Sequence, residues 1–273
     1  MFCGRDGNPG AMKMLHLSAI LLLILGSAPH DAVAAQPSCL AAPYQSAGTS
    51  DQRQLVKEVA ALRTALRDFP ALLEVLDSRR PTLCLSDGLV EARAYYEPET
   101  NRIVFAPDMG SGLTLAMLVH ELRHLYQFAG GFCPSDSLAM KEYARAVFAM
   151  EADANVVSLL VAWHLRSGGD SRMWHALATW PMTADIALRF EENMTATGNV
   201  PAAAAAGFDQ WYASELRREK YYIAACSDYL ERGERAHALP SYHFLAPDFL
   251  TRLCLMPDGS PYPCVEAEGA LER

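Results

Sequence analysis

The chain has no C-x-x-C pair, no run rich in lysine and arginine, no internal repeat and no low-complexity linker. Each absence removes a class of function. Without C-x-x-C spacing, the seven cysteines do not read as a thiolate zinc site. With 23 Lys+Arg against 32 Asp+Glu and a net charge of −9, no electrostatic footprint exists for nucleic acid or anionic lipid. Beyond the N-terminal region, no apolar stretch is long and uninterrupted enough to span a bilayer.

What is present begins with an export signal. Lys13, an apolar core over residues 15–25 and the small-residue segment Ala32-Val33-Ala34-Ala35 have the three-part layout of a secretory signal peptide. Cleavage near Ala34 or Ala35 is expected, so residues 1–35 are set aside and the mature chain is expected to be exported, periplasmic or secreted, with no membrane attachment. The remaining 238 residues (273 less 35) are read as a single domain, with a core over 82–167 and a helical C-terminal part over 170–273. Six cysteines survive cleavage, namely Cys39, Cys84, Cys133, Cys226, Cys254 and Cys264. An even count in an exported chain fits up to three disulfides, and the turn-rich segment between Cys254 and Cys264 makes that pair the first to join.

Apolar spacing at Leu55, Val59, Leu62 and Leu66 predicts a helix over 50–69, with Pro70 and Pro81 as punctuation after it. Residues 82–86 read as a strand, and 91–108 as two strands joined at 98–101. A helix over 113–128 ends at Gly130 and Gly131, and a second long helix is expected over 136–166. Further helices are expected near 170–179, 182–193, 207–231 and 246–253, with 201–208 read as a helix start or a loop. The fold class is α+β, mostly α.

The helix over 113–128 carries His120, Glu121 and His124 in the order H-E-x-x-H. Residues four apart share a helix face, so both imidazoles can aim at one ion. Zinc takes neutral imidazole nitrogens, and a catalytic site has three protein ligands plus water. Glu121 is then the carboxylate that reaches the water as general base. Chance alone gives such a pattern in a chain of this composition at about one or two per cent, so a third ligand is needed. Glu151, 27 residues after His124, supplies one on the second long helix, with the small Ala154 on the same face allowing close approach. Asp153 lies about 200° away from it. Asn155, one turn after Glu151, is placed to hydrogen-bond a ligand imidazole. His164 is about 220° round from Glu151 and reads as helix-end chemistry.

H-E-x-x-H followed by a downstream Glu in an E-A-D-A context resembles the gluzincin clan of zinc metallopeptidases, and within that group a set of bacterial metallopeptidases. The resemblance covers roughly residues 90–166. It implies one zinc ion per chain held by His120, His124 and Glu151, Glu121 as base and proton shuttle, and a peptide or protein substrate. It also implies an edge strand above the active helix, for which residues 102–107 are in place. One departure is Asn155, where many gluzincins have Asp. Such enzymes also stabilise an oxyanion, for which Tyr221, Tyr222, His237 and His243 stand as candidates. A non-catalytic zinc-binding or structural module on the same scaffold is the alternative reading.

Overall fold

The structure is a computed structural model describing residues 37–45, 47–89 and 92–267; the expected signal peptide lies outside the described residues. A short strand β1 (Ser38–Leu40) precedes α1 (Ser50–Ala65), whose N-terminus is capped by the Thr49 side chain accepting from the Gln52 amide. Next comes α2 (Pro70–Arg79), at a place the sequence reading treated as punctuation. Pro70 sits in its first turn, where a missing N–H costs nothing, so the proline starts the helix instead of breaking it. Then follow β2 (Thr82–Leu85), β3 (Ala94–Glu97) and β4 (Arg102–Phe105).

The four strands form one sheet in the order β1-β2-β4-β3. β2 and β4 pair in parallel, while β1–β2 and the β3–β4 hairpin are antiparallel. This corrects the placement of the edge strand. Residues 102–105 are interior to the sheet, and β3 is the terminal strand beside them. The cause is β2, which takes the other side of β4 through a crossover that local pattern does not reveal.

The long helices α3 (Ser111–Ala129) and α4 (Met140–Ser167) carry the motif residues. α3 packs on β3 and β4 and also against α4 and α5 (Arg172–Thr179), which sets it between the sheet and the helical part. α4 is buried at 19 of its 28 residues. By length and hydropathy it is the one described helix that could cross a membrane, but 94% of its apolar window is buried inside the protein, so it is a core helix. Its first turn starts at Met140 and not at 136, because Ser135–Leu138 close a turn of their own. Around it lie α6 (Ala184–Thr197), α7 (Val200–Ala213), α8 (Glu215–Arg235) and α9 (Phe249–Leu253). The helix expected over 207–231 is thus two helices, divided at Ser214, whose hydroxyl caps α8 by accepting from the Arg217 amide. The alanine run of 201–208 is helical, with Asn199 as its cap.

One apolar cluster runs from the sheet through α3 and α4 to the C-terminal residues Cys254 and Tyr262. Among the described residues, two disulfides bind its margins. Cys39–Cys84 joins directly opposed residues of β1 and β2, and Cys254–Cys264 closes the C-terminal turn. Cys226 is a free thiol, so the six cysteines from Cys39 to Cys264 do not form three disulfides among themselves. It is half-buried on α8, between the buried Ala225 and the exposed Ser227.

Candidate metal centre

α3 and α4 cross with their small and apolar residues in contact: Ala116, Ala152 and Ala154 are fully buried. That closeness lets a carboxylate on one helix meet imidazoles on the other. His120 Nε2 lies 3.4 Å from Glu151 Oε2, His124 Nε2 lies 3.4 Å from Glu151 Oε1, and the two imidazole Nε2 atoms are 3.0 Å apart. Three donors at the corners of a tetrahedron with bonds of about 2.0–2.1 Å would be about 3.3 Å apart. The two imidazoles meet different oxygens of Glu151, and one ligand atom from each residue lies within 4.8 Å of the others, a spacing that a small divalent ion can draw together, so the residues present fit such an ion.

The electrostatics are those of a cation site. Burial disfavours charge on His124, yet the charge and hydrogen bond of Glu151 outweigh it and raise the imidazole above its ordinary value. Glu151 is likewise opposed by burial, and His124 and His120 together hold it well below the usual carboxylate range. Without an ion, the imidazole and the carboxylate thus stabilise each other's charged forms as a buried pair. Of the three side chains, His124 and Glu151 are 2% and 4% exposed and His120 is 12% exposed, so solvent reaches the site over His120.

Glu121 is buried beside this cluster, and among the described residues its Oε2 has no hydrogen-bond partner. A buried carboxylate oxygen without a partner carries a desolvation cost that a bound water or substrate proton would relieve. Tyr221, reaching in from α8, hydrogen-bonds Glu151; burial first, then the charges of Glu151 and Glu121, push its phenol well up, so it remains a proton donor. Of the four residues considered for an oxyanion role, Tyr221 is the one brought to the cluster. Tyr222 packs between the main apolar cluster and a smaller one around Tyr143, Val147 and Tyr229, and it hydrogen-bonds the Cys226 thiol. His237 is exposed beyond the end of α8, about 24 Å along the axis from Tyr221 at 1.5 Å per residue. His243 is exposed and pairs through its backbone with Leu138, just before α4 begins, about 20 Å from Glu151 at 1.5 Å per residue.

Asn155 is not on an imidazole. Its side-chain amide donates to the Glu151 backbone carbonyl at 2.8 Å, a contact within its own helix. The imidazole is met instead by Gln127, whose Oε1 is 2.8 Å from His124 Nδ1. Gln127 Nε2 donates to Met150 O at 3.0 Å and to Asp153 Oδ2 at 2.7 Å. Asp153 is also held by Arg123, through Nε at 2.7 Å and Nη2 at 3.0 Å, and by the Tyr262 hydroxyl at 2.8 Å. The sequence reading did not assign Gln127, Asp153, Arg123 or Tyr262; the one signal available was Gln127, a turn after His124 on its face. His164 pairs with Asp68 at 3.0 Å, both half-exposed, away from the cluster.

A family model described as "Putative metallopeptidase family (DUF6782)" matches residues 32–264, most of the chain and all of the cluster. Neither the curated proteins nor the solved structures give a match.

Proposed function

The chain belongs to that metallopeptidase family, and from this premise we propose that it is an exported zinc-dependent peptidase with its active site at the α3–α4 crossing. The observation that carries the reading is the convergence of His120, His124 and Glu151 within 4.8 Å beside a buried Glu121 carboxylate oxygen that lacks a partner among the described residues. Two imidazoles and one carboxylate form the donor set that suits zinc in hydrolytic centres. A zinc ion held there supplies Lewis acidity, polarising the scissile carbonyl and lowering the pKa of a nearby water. The work of the protein's own groups follows from their placement. Glu121 takes the proton of the attacking water and delivers it to the departing amine. Tyr221, kept protonated by burial and two neighbouring carboxylates, donates towards the developing oxyanion. An extended peptide would pair with β3, the terminal strand of the sheet beside α3. Two disulfides in the described residues support an oxidising compartment, and so export.

Glu121→Gln tests this reading against a non-catalytic zinc module. The variant should retain one zinc per chain and lose hydrolysis of a peptide library, while Glu151→Ala should lose the zinc. Full activity in Glu121→Gln, or zinc content unchanged by Glu151→Ala, would overturn it.

A further inference from the structure

Gln127 occupies an unusual position, because its orientation is forced from one side. Both partners of its Nε2, the Met150 carbonyl and an Asp153 carboxylate already paired with Arg123, can only accept. The amide therefore cannot be reversed, and its Oε1 must face His124 Nδ1. That oxygen needs an N–H, so Nδ1 carries the proton and the neutral ring keeps its lone pair on Nε2, the atom that converges with His120 and Glu151. The tautomer of His124 is thus set, through Gln127, by Asp153 together with the Met150 carbonyl.

Asp153 is in turn placed from far along the chain. The Tyr262 hydroxyl donates to its Oδ1, and Arg123 Nη2 donates to the carbonyls of Leu253 and Leu255 at 3.0 and 2.9 Å. These groups flank or lie within the turn closed by Cys254–Cys264, which is pinned further by Tyr262 N donating to Cys254 O at 3.1 Å. Burial and the Asp153 carboxylate keep the Tyr262 phenol protonated, so it stays a donor at any working pH.

Resting on the assignment of His120, His124 and Glu151 as metal ligands, we propose that Asp153, Gln127 and the disulfide-closed loop 254–264 are positioning elements that preset His124 for metal. The C-terminal loop completes the metal centre without touching the ion.

Zinc affinity, measured by competition with a chromophoric chelator on the full mature chain, tests this together with the melting temperature of the metal-free protein. Gln127→Met keeps the Arg123–Asp153 pair and removes the acceptor; it should weaken zinc binding about 10- to 100-fold. A slowly exchanging His124 Nδ1 proton resonance, expected in the zinc-loaded parent, should be lost in the zinc-loaded variant. Tyr262→Phe removes one hydroxyl on the loop and should weaken zinc binding by a factor of about 2 to 10. The double variant Cys39→Ala/Cys84→Ala, which lowers stability at the opposite margin of the sheet, should leave zinc affinity unchanged. Unchanged affinity in both Gln127→Met and Tyr262→Phe would overturn the proposal, as would a loss in the Cys39/Cys84 variant equal to theirs. Should Gln127→Met not fold, Tyr262→Phe alone decides. A parent protein that binds no zinc would instead refute the ligand assignment on which the proposal rests.

Discussion

Gly112 and Gly207 are both helical glycines, and opposite outcomes are expected when each is replaced by alanine. A β-carbon at position 112 would stand 2.3 Å from the Arg172 carbonyl oxygen and 2.8 Å from its carbon. Ordinary contact begins near 3.4 Å, so the first turn of α3 and the start of α5 would have to part by about 1 Å (3.4 less 2.3). The obstacle is backbone and cannot rotate away. Overpacking of this kind costs about 1–3 kcal/mol, offset in part by the roughly 0.5–1 kcal/mol that alanine gains over glycine in a helix. At position 207 of α7 the nearest atoms are Ile186 Cγ2 and Val156 Cγ2, both at 3.6 Å, which is normal packing, so only the helix gain remains. Calorimetry should show Gly112→Ala melting about 1–8 °C lower and Gly207→Ala about 1–4 °C higher, at 2–4 °C per kcal/mol for a chain of this size. Because α3 carries His120 nine residues or fewer beyond the displaced turn, Gly112→Ala should also reduce peptidase activity. A Gly112→Ala protein that melts at the parent temperature would refute the close crossing of α3 and α5.

Three further outcomes are expected. Tyr221→Phe should lower kcat about 10²–10³-fold with zinc content and KM little changed, as removal of one oxyanion donor does, and unchanged steady-state kinetics would exclude the role. In metal-free protein, the raised His124 contributes stability that is complete below about 6.5 and is lost as pH rises through its folded pKa; the depressed Glu151 contributes stability present above about 4.5 and lost on acidification through its own. Denaturant midpoints of the metal-free protein should therefore fall on either side of the window between those values, and Glu151→Gln should flatten the profile. Removing Cys39–Cys84, which closes 45 residues, should cost about 4 kcal/mol on loop entropy, measured as a drop in urea midpoint at constant slope.

The parts of this molecule that were legible in its sequence depend on short-range periodicity. Four-residue spacing places His120 and His124 on one face, and the 3.6-residue period with a glycine turn between helices returns Glu151 to them. The hairpin β3–β4 and the Cys254–Cys264 turn are equally local. What was not legible depends on partners distant in sequence: the parallel pairing of β2 with β4, the bridge from Cys39 to Cys84, and the choice of Tyr221 among several aromatic and histidine residues.

Asp153 shows the limit of periodicity most clearly. A helical wheel sets it about 200° from Glu151, which for a helix with one buried face would send it to solvent. α4 has no such outer face over this stretch: Met150, Glu151, Ala152, Asp153 and Ala154 are all buried. Opposite sides of the helix are therefore both available for polar work, provided each charge finds a partner in the interior. Glu151 finds the two imidazoles, and Asp153 finds Arg123, Gln127 and Tyr262. A buried ion pair is poor evidence of added stability, since desolvation consumes most of its attraction. Its retention next to a ligand histidine makes sense when its product is orientation: the carboxylate fixes an amide, and the amide fixes a proton on His124. On the proposed reading, the acidic pair in "EADA" divides between Glu151, which would meet the metal, and Asp153, which would orient His124 to do so.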